Sequence, residues 1–216
     1  KLVRMDYDQL EWRVLAAITQ DPVLIKELGS GKKIHQVTAD LMGVSYADAK
    51  TGNFAIQYGA QAWTLAQHLH CTIGQAKEFM KLYFKKFPGV KAYQEKMREV
   101  ALKDKKVTNY FGRTRRIDAM FVNQKRVQEE GVKEAVNMPI QGAGGEIVKI
   151  AMIELHKRFA PMVLQVHDEL LFEVDEKEAV EYGHWLEEFI PTLVQINGVR
   201  FPVDVKIGSN WWECSK

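Results

Sequence analysis

Apolar and polar positions change over most sharply near the C-terminal end of the chain. In Val163-Leu-Gln-Val-His-Asp-Glu-Leu-Leu-Phe-Glu-Val174, two apolar, β-prone runs flank His167, Asp168 and Glu169. The pattern predicts a tight β-hairpin with acids at its tip. At the other end, Leu2 to Met5 reads as a short strand with Asp6 at its end, just before a helix. Asp8 and, three residues on, Glu11 form a capping-box pattern for that helix, whose Leu10, Val14, Leu15 and Ile18 share a face. Gly29 to Lys33 reads as a loop, and His35 to Met42 as a helix ended by Gly43. A longer helix is expected from about Asp48 to His70, in which Lys50, Phe54 and Tyr58 recur every fourth residue and line one face. A cation and two aromatics on one stripe suit a phosphate and a stacked base; they equally suit two core aromatics beside a snorkelling lysine. Gly52 and Gly59 each weaken this helix by about 1 kcal/mol, so close backbone approach or bending is expected there.

Thr72 and Gln75 cap a further helix carrying Phe79, Tyr83 and Phe87, stopped by Pro88-Gly89. A long basic helix follows, with Val90, Tyr93, Met97 and Val100 on its buried side. Val107 to Phe111 reads as a strand, and Gly112-Arg-Thr-Arg-Arg116 as a turn with clustered arginines. One helix is expected from about Asn123 to Val136. It ends at Asn137-Met-Pro-Ile-Gln-Gly142, and a second runs on to Phe159. Asp175 and Glu178 cap a helix to Ile190, Asn197-Gly198 marks a turn, and Phe201, Val203, Val205 and Ile207 alternate as a last strand. Strands at both ends with helices between them predict an α+β fold whose sheet is interrupted by a helical insertion.

Composition narrows the function classes. With 216 residues, 46% of them hydrophobic, the chain can bury a real core. A charged fraction of 27% and the lack of a long apolar run argue against a membrane span or a membrane partner. Cys71 and Cys214 form neither a metal spacing nor a disulfide framework, which suits a reducing compartment. The expected location is the cytoplasm, or a host's cytoplasm if the source is viral. The net charge of +2 means that contact with nucleic acid must come from a local basic surface. Starting at Lys1 and entering a strand at once, the sequence reads as a piece of something longer.

The adjacent acids of the hairpin repel each other, and burying them requires a cation. Mg²⁺, held by one or two carboxylates and completed by phosphate oxygens, meets that need. An ordinary solvated acidic turn is the simpler reading of the hairpin alone. A second carboxylate from elsewhere in the chain must decide.

Four stretches supply more. Asp6-Tyr-Asp-Gln-Leu-Glu-Trp-Arg13, Lys50-Thr-Gly-Asn-Phe-Ala-Ile-Gln-Tyr-Gly59, Asn137-Met-Pro-Ile-Gln-Gly142 and Val166-His-Asp-Glu169 occur in this order. Together they closely resemble the motifs of family A DNA polymerases, the bacterial DNA polymerase I type, and the likeness extends through Phe87-Pro88, Gly112-Arg113 and Gly208-Ser-Asn-Trp211. The resemblance implies an α+β fold with a palm-type antiparallel sheet over residues 1–28 and 107–216 and a helical fingers insertion over residues 29–106. Nothing in the chain resembles the family's thumb or exonuclease domains. It further implies two Mg²⁺ ions on Asp6 and Asp168, with Glu169 an auxiliary catalytic carboxylate and His167 near the primer terminus. Glu11 matches the steric gate against ribonucleotides. Lys50 and His35 match triphosphate contacts, Phe54 the aromatic beside the incoming base, and Tyr58 the residue near the templating base. Asn137 and Gln141 match contacts to the nascent pair, Arg113 and Arg115 contacts to the nucleic-acid backbone.

The implied partners are primer-template DNA, deoxynucleoside triphosphates, and a separate polypeptide or N-terminal region carrying the thumb. The alternative is a non-catalytic nucleic-acid-binding or assembly module derived from a polymerase. Three departures from the family pattern stand out. Tyr46 occupies a position that is usually arginine, so that one cationic contact is either missing or supplied by Lys32 or Lys33; Asp8 adds negative charge beside the metal site; Thr114 interrupts the arginine run.

Overall fold

The computed structural model describes residues 1–215. In chain order the elements are β1 (Leu2–Tyr7), α1 (Leu10–Thr19), α2 (Pro22–Gly29), α3 (Ile34–Met42), α4 (Tyr46–Gln57), α5 (Ala62–His68), α6 (Ile73–Lys86) and α7 (Pro88–Asp104). Then come β2 (Lys106–Thr108), β3 (Thr114–Arg116), a 3-10 turn (Asp118–Phe121) and α8 (Lys125–His156). The chain finishes with β4 (Met162–Val166), β5 (Glu169–Glu173), α9 (Ala179–Leu193), β6 (Gln195–Ile196), β7 (Val199–Arg200), β8 (Val203–Gly208) and α10 (Trp211–Cys214). The fold is α+β, as the sequence predicts. Its residues form two compact units, one made of Lys1–Val14 and the residues from Ala143 onward, the other of Leu15–Gly142.

The first unit is built on a four-stranded antiparallel sheet in the order β4-β5-β1-β8. Strand periodicity sorts β1 into two faces: Val3, Met5 and Tyr7 are buried, while Leu2, Arg4 and Asp6 are partly exposed. Val205 pairs with Met5 and Phe172 with Val3, so the apolar rows of three strands share one face. Helix α9 covers that face, with Tyr182 set edge-on to Phe172 at 5.5 Å between ring centres. Fully burying a Phe such as Phe172 stabilises by about 3 kcal/mol. The polar row is left on the opposite side, and there the acids lie.

The second unit is helical apart from the β2–β3 hairpin. The Thr72–Gln75 capping box forms as expected, and Phe79, Tyr83 and Phe87 are buried. On α7, Val90 and Tyr93 are buried, whereas Met97 and Val100 are only half-buried.

Among the differences from the sequence-based expectation, four concern the helices and the β2–β3 hairpin. The expected helix over Asp48 to His70 is two helices, because Gly59 adopts φ +73° and turns the chain after Tyr58. The expected break at Asn137–Gly142 is absent, and α8 runs unbroken through Pro139. Proline there removes one helical hydrogen bond and costs about 3 kcal/mol. Burial of Ala135, Val136, Met138 and Ile140 offsets that cost, and the Tyr93 hydroxyl donates to the Val136 carbonyl at 2.7 Å. The strand expected over Val107 to Phe111 ends at Thr108, since Asn109 to Gly112 form the hairpin turn. Helix α2 was not anticipated, although Asp21 followed by Pro22 is a helix-start signal: the Asp21 carboxylate accepts from the Val23 and Leu24 amides.

Candidate active site

The acids of the first unit are placed by strand pairing. Asp6 lies directly opposite Glu169 on β5 and opposite Asp204 on β8, so three carboxylates form one row across the sheet. His167 and Asp168 make the two-residue turn between β4 and β5, and the left-handed φ of +51° at His167 permits the tight reversal. The Tyr7 amide donates to the Asp168 carbonyl at 3.3 Å, tying the hairpin tip to the end of β1. The His167 carbonyl accepts from the Gln165 side chain at 2.6 Å. The hairpin predicted from sequence is therefore present, and it brings Asp168 and Glu169 to Asp6.

Arg4, two residues before Asp6 and hence on the same face, holds this row together. Its Nε donates to Glu169 Oε2 at 2.6 Å and its Nη2 to Asp6 Oδ2 at 3.0 Å. Even so, the Asp6 carboxyl lies above its ordinary pKa, first because burial penalises its charge and then because Asp168 repels it. Asp168 is also pushed up by burial, against the opposing pull of a backbone hydrogen bond and of His167. Charge is thus concentrated here at an electrostatic cost, the usual mark of a cation-binding or catalytic carboxylate site.

The donor set of Asp6 and Asp168, hard carboxylate oxygens only, fits a Mg²⁺ ion that retains water and recruits phosphate. Among the described residues, no group of three or more His, Cys, Asp and Glu side chains is arranged to enclose an ion. Asp8 does not add an uncompensated charge: its carboxylate accepts from Arg13 Nη2 at 2.6 Å, and its carbonyl from Arg13 Nε at 2.8 Å. Glu11 stands half-buried in the first turn of α1.

In the second unit, α3 and α4 assemble the other predicted group. His35 is buried, and its ring lies 5.2 Å from that of Phe54 and 5.8 Å, edge-on, from that of Tyr46. The Asn53 side-chain amide meets His35 Nδ1 at 3.0 Å. Burial, then the charge of Lys50, lowers the His35 pKa to about 4, so at neutral pH it offers a neutral imidazole. Phe54 and Tyr58 follow at 5.9 Å between ring centres. Lys50 is exposed while Phe54 and Tyr58 are half-buried, which favours the surface reading of the stripe over the core reading. Both rings border a cleft of about 340 Å³, with Thr51, Thr64, His68 and Lys133. Gly52 is required on this helix: a Cβ there would lie 2.9 Å from the Phe79 ring.

The remaining residues of this unit are more scattered. Asn137 is half-buried with its side-chain oxygen buried and unpartnered, and Gln141 is exposed. Arg113 lies exposed on the β2–β3 hairpin, and Arg115 pairs with Glu134 at 2.6 Å. Sequence reasoning missed Arg4, Asp204 and Asn53. The two-residue strand period could have put Arg4 beside Asp6, whereas Asp204 required the pairing of β8 with β1.

The sheet carries a carboxylate row on the face turned away from α9, and the helical unit a cationic and aromatic helix face, the arrangement expected of a palm-type sheet with a helical fingers insertion. Comparison with known proteins agrees. The model of DNA polymerase family A matches residues 1–213, and the chain belongs to that family. It is 37% identical to the thermostable DNA polymerase I of Thermus thermophilus, over 97% of this chain and 27% of that protein. It is 36% identical to DNA polymerase I of Geobacillus stearothermophilus, over 96% of this chain and 25% of that protein. Among solved structures, the POL domain of Pol1 from M. smegmatis, in complex with DNA primer-template and dNTP, superposes with a TM-score of 0.91 at 30% identity. That match covers 100% of this chain and 40% of the other. The chain thus spans about a quarter of the length of the curated relatives it matches. No helix among the described residues is long and apolar enough to cross a membrane.

Proposed function

We propose that this chain carries the nucleotidyl-transfer centre of a template-directed DNA polymerase, which adds deoxynucleoside triphosphates to a primer 3′-hydroxyl on primer-template DNA. The observation that carries the reading is the convergence of Asp6 and Asp168 at one end of the sheet, with both carboxyls destabilised in their charged form. Membership in family A supports it. Asp6 and Asp168 would hold Mg²⁺, two ions in the full reading. Bound there, the metal would supply Lewis acidity to the attacking hydroxyl and charge neutralisation to the triphosphate.

The chain's own residues do the rest. Arg4 keeps Asp6 and Glu169 oriented, with Glu169 as auxiliary carboxylate and His167 directed to the primer terminus. Glu11 crowds the sugar 2′ position. Lys50 and the neutral His35 donate to the triphosphate, Phe54 packs beside the incoming base, and Tyr58 stands near the templating base. Asn137 and Gln141 contact the nascent pair, and Arg113 and Arg115 the backbone. In this reading residues 1–28 and 107–216 serve as palm and residues 29–106 as fingers. The grip on the duplex comes from a thumb outside these residues, on another part of a longer chain or on a second polypeptide.

Incorporation of labelled deoxynucleotide into primer-template tests the reading. Mg²⁺-dependent extension that strongly prefers deoxy- over ribonucleotides is expected. Binding of primer-template without incorporation, with or without a thumb-bearing partner, would instead identify a non-catalytic nucleic-acid-binding module. Processive extension by the chain alone would remove the need for the partner.

A further inference from the structure

Beside the arginines already assigned, the β2–β3 hairpin carries an aromatic pair that the nucleotidyl-transfer centre does not use. From Lys105 to Ile117 the sequence contains five cations, Lys105, Lys106, Arg113, Arg115 and Arg116, and no acid. At its turn, Tyr110 and Phe111 are 51% and 37% exposed. Their rings stand nearly perpendicular, at 82° and 5.5 Å between centres, so each presents a face that the other does not cover. Exposed apolar surface rimmed by polar and charged residues is the kind that marks interaction sites.

The turn is built to hold these rings in place. Asn109, 5% exposed, accepts from the amides of Phe111 at 3.0 Å and Arg113 at 2.9 Å through its side-chain oxygen. Its own amide donates to the Arg113 carbonyl at 2.9 Å. Below the turn, the Thr108 and Thr114 hydroxyls share a hydrogen bond of 2.8 Å across the strands. The aromatic pair is therefore presented on a rigid hairpin, which lowers the entropy lost when a ligand seats on it. Farther down, Arg115 pairs with Glu134, and Arg116 with Asp118 while it lies 4.9 Å from the Phe121 ring.

Aromatic faces set among cations are the chemistry of single-stranded nucleic acid, where bases stack on rings and the backbone tracks positive charge. A duplex hides its base faces within its own stack, and an apolar protein partner would not call for a stretch free of acids. We propose that the Tyr110–Phe111 turn is a stacking platform for an unpaired nucleotide, and that the hairpin binds single-stranded nucleic acid. This rests on the nucleic-acid reading above and adds a base-stacking contact to the backbone contacts assigned to Arg113 and Arg115.

Photocrosslinking of the protein to a short oligo(dT) carrying one 5-iodouracil tests it, with affinities measured for the same strand and for a blunt duplex. Crosslinks are expected in the peptide containing Tyr110 and Phe111. Tyr110→Ala should weaken single-strand binding about tenfold, Tyr110→Phe by less than about twofold, and neither should change duplex binding beyond about twofold. Crosslinks confined to other peptides, or Tyr110→Ala binding that is unchanged or equally weakened for strand and duplex, would overturn the proposal. Primer extension run in parallel separates the two readings. Tip crosslinks without extension count against the polymerase alone, and extension without tip crosslinks counts against the platform alone.

Discussion

The two units solve opposite electrostatic problems with different scaffolds. In the first, a row of carboxylates is held by a backbone ladder: β1 hydrogen-bonds on both sides, so Asp6 cannot move away from Glu169 and Asp168 without breaking sheet pairing. In the second, a cation and three aromatic rings are held by helix packing, with Gly52 against Phe79 and His35 against Asn53. A ladder tolerates charge repulsion because its registration does not depend on the side chains that repel. A helix face has no such support, and its charged residue, Lys50, stays in solvent while its neighbour His35 stays neutral.

This contrast can be broken most forcefully at the acids. Asp6→Asn or Asp168→Asn should lower deoxynucleotide incorporation by on the order of 10²–10³-fold. The melting temperature should stay at or above that of the parent, because each change relieves repulsion. A large fall in thermal stability would show that these residues serve packing rather than chemistry. Removing the compensating cation should do the reverse. Arg4→Met leaves Asp6 and Glu169 without their shared partner and should cost about 2–3 kcal/mol in chemical denaturation. Adding Glu169→Gln should return part of it, and an equal loss in single and double variants would deny the coupling.

The second unit should respond to pH through His35. Its folded pKa of about 4 lies below the unfolded value, so the unfolded chain binds the extra proton first. The stability at stake is fully present above about pH 6.5 and is lost as pH falls toward 4. Unfolding compared between pH 7 and pH 4.5 should show about 2 kcal/mol less pH-dependent loss in His35→Gln than in the parent. Parallel profiles would mean that His35 titrates normally. The smallest effect is expected at Tyr93→Phe, which removes the donor to the Val136 carbonyl beside Pro139 and should cost about 1 kcal/mol. Hydrogen exchange that increases around Val136 rather than across the unit would localise the effect to that bond.

Much of this could be read along the chain. Two apolar, β-prone runs around a short polar centre over residues 163–174 are enough to specify a hairpin, since such runs joined by so short a polar turn have few other solutions. The Thr72–Gln75 cap and the Asn197-Gly198 turn are local, and both form as expected. The errors arose where a local signal met tertiary packing. Pro139 is a strong stop signal, yet the burial around it and the hydroxyl of Tyr93, 46 positions earlier in the sequence, keep α8 continuous. Gly59 is a weak signal that became a true break once its φ turned positive.

The order of the motifs pointed to the family, and the apolar runs and strand patterns to the α+β class and to an acidic hairpin tip. Strand registration, which couples residues more than 160 positions apart, determined that Glu169 and Asp204 flank Asp6 and that Arg4 binds two of the acids at once. Only tertiary structure could decide that. A carboxylate's charge is written in its own residue, but its protonation and orientation depend on neighbours that the chain brings to it from elsewhere.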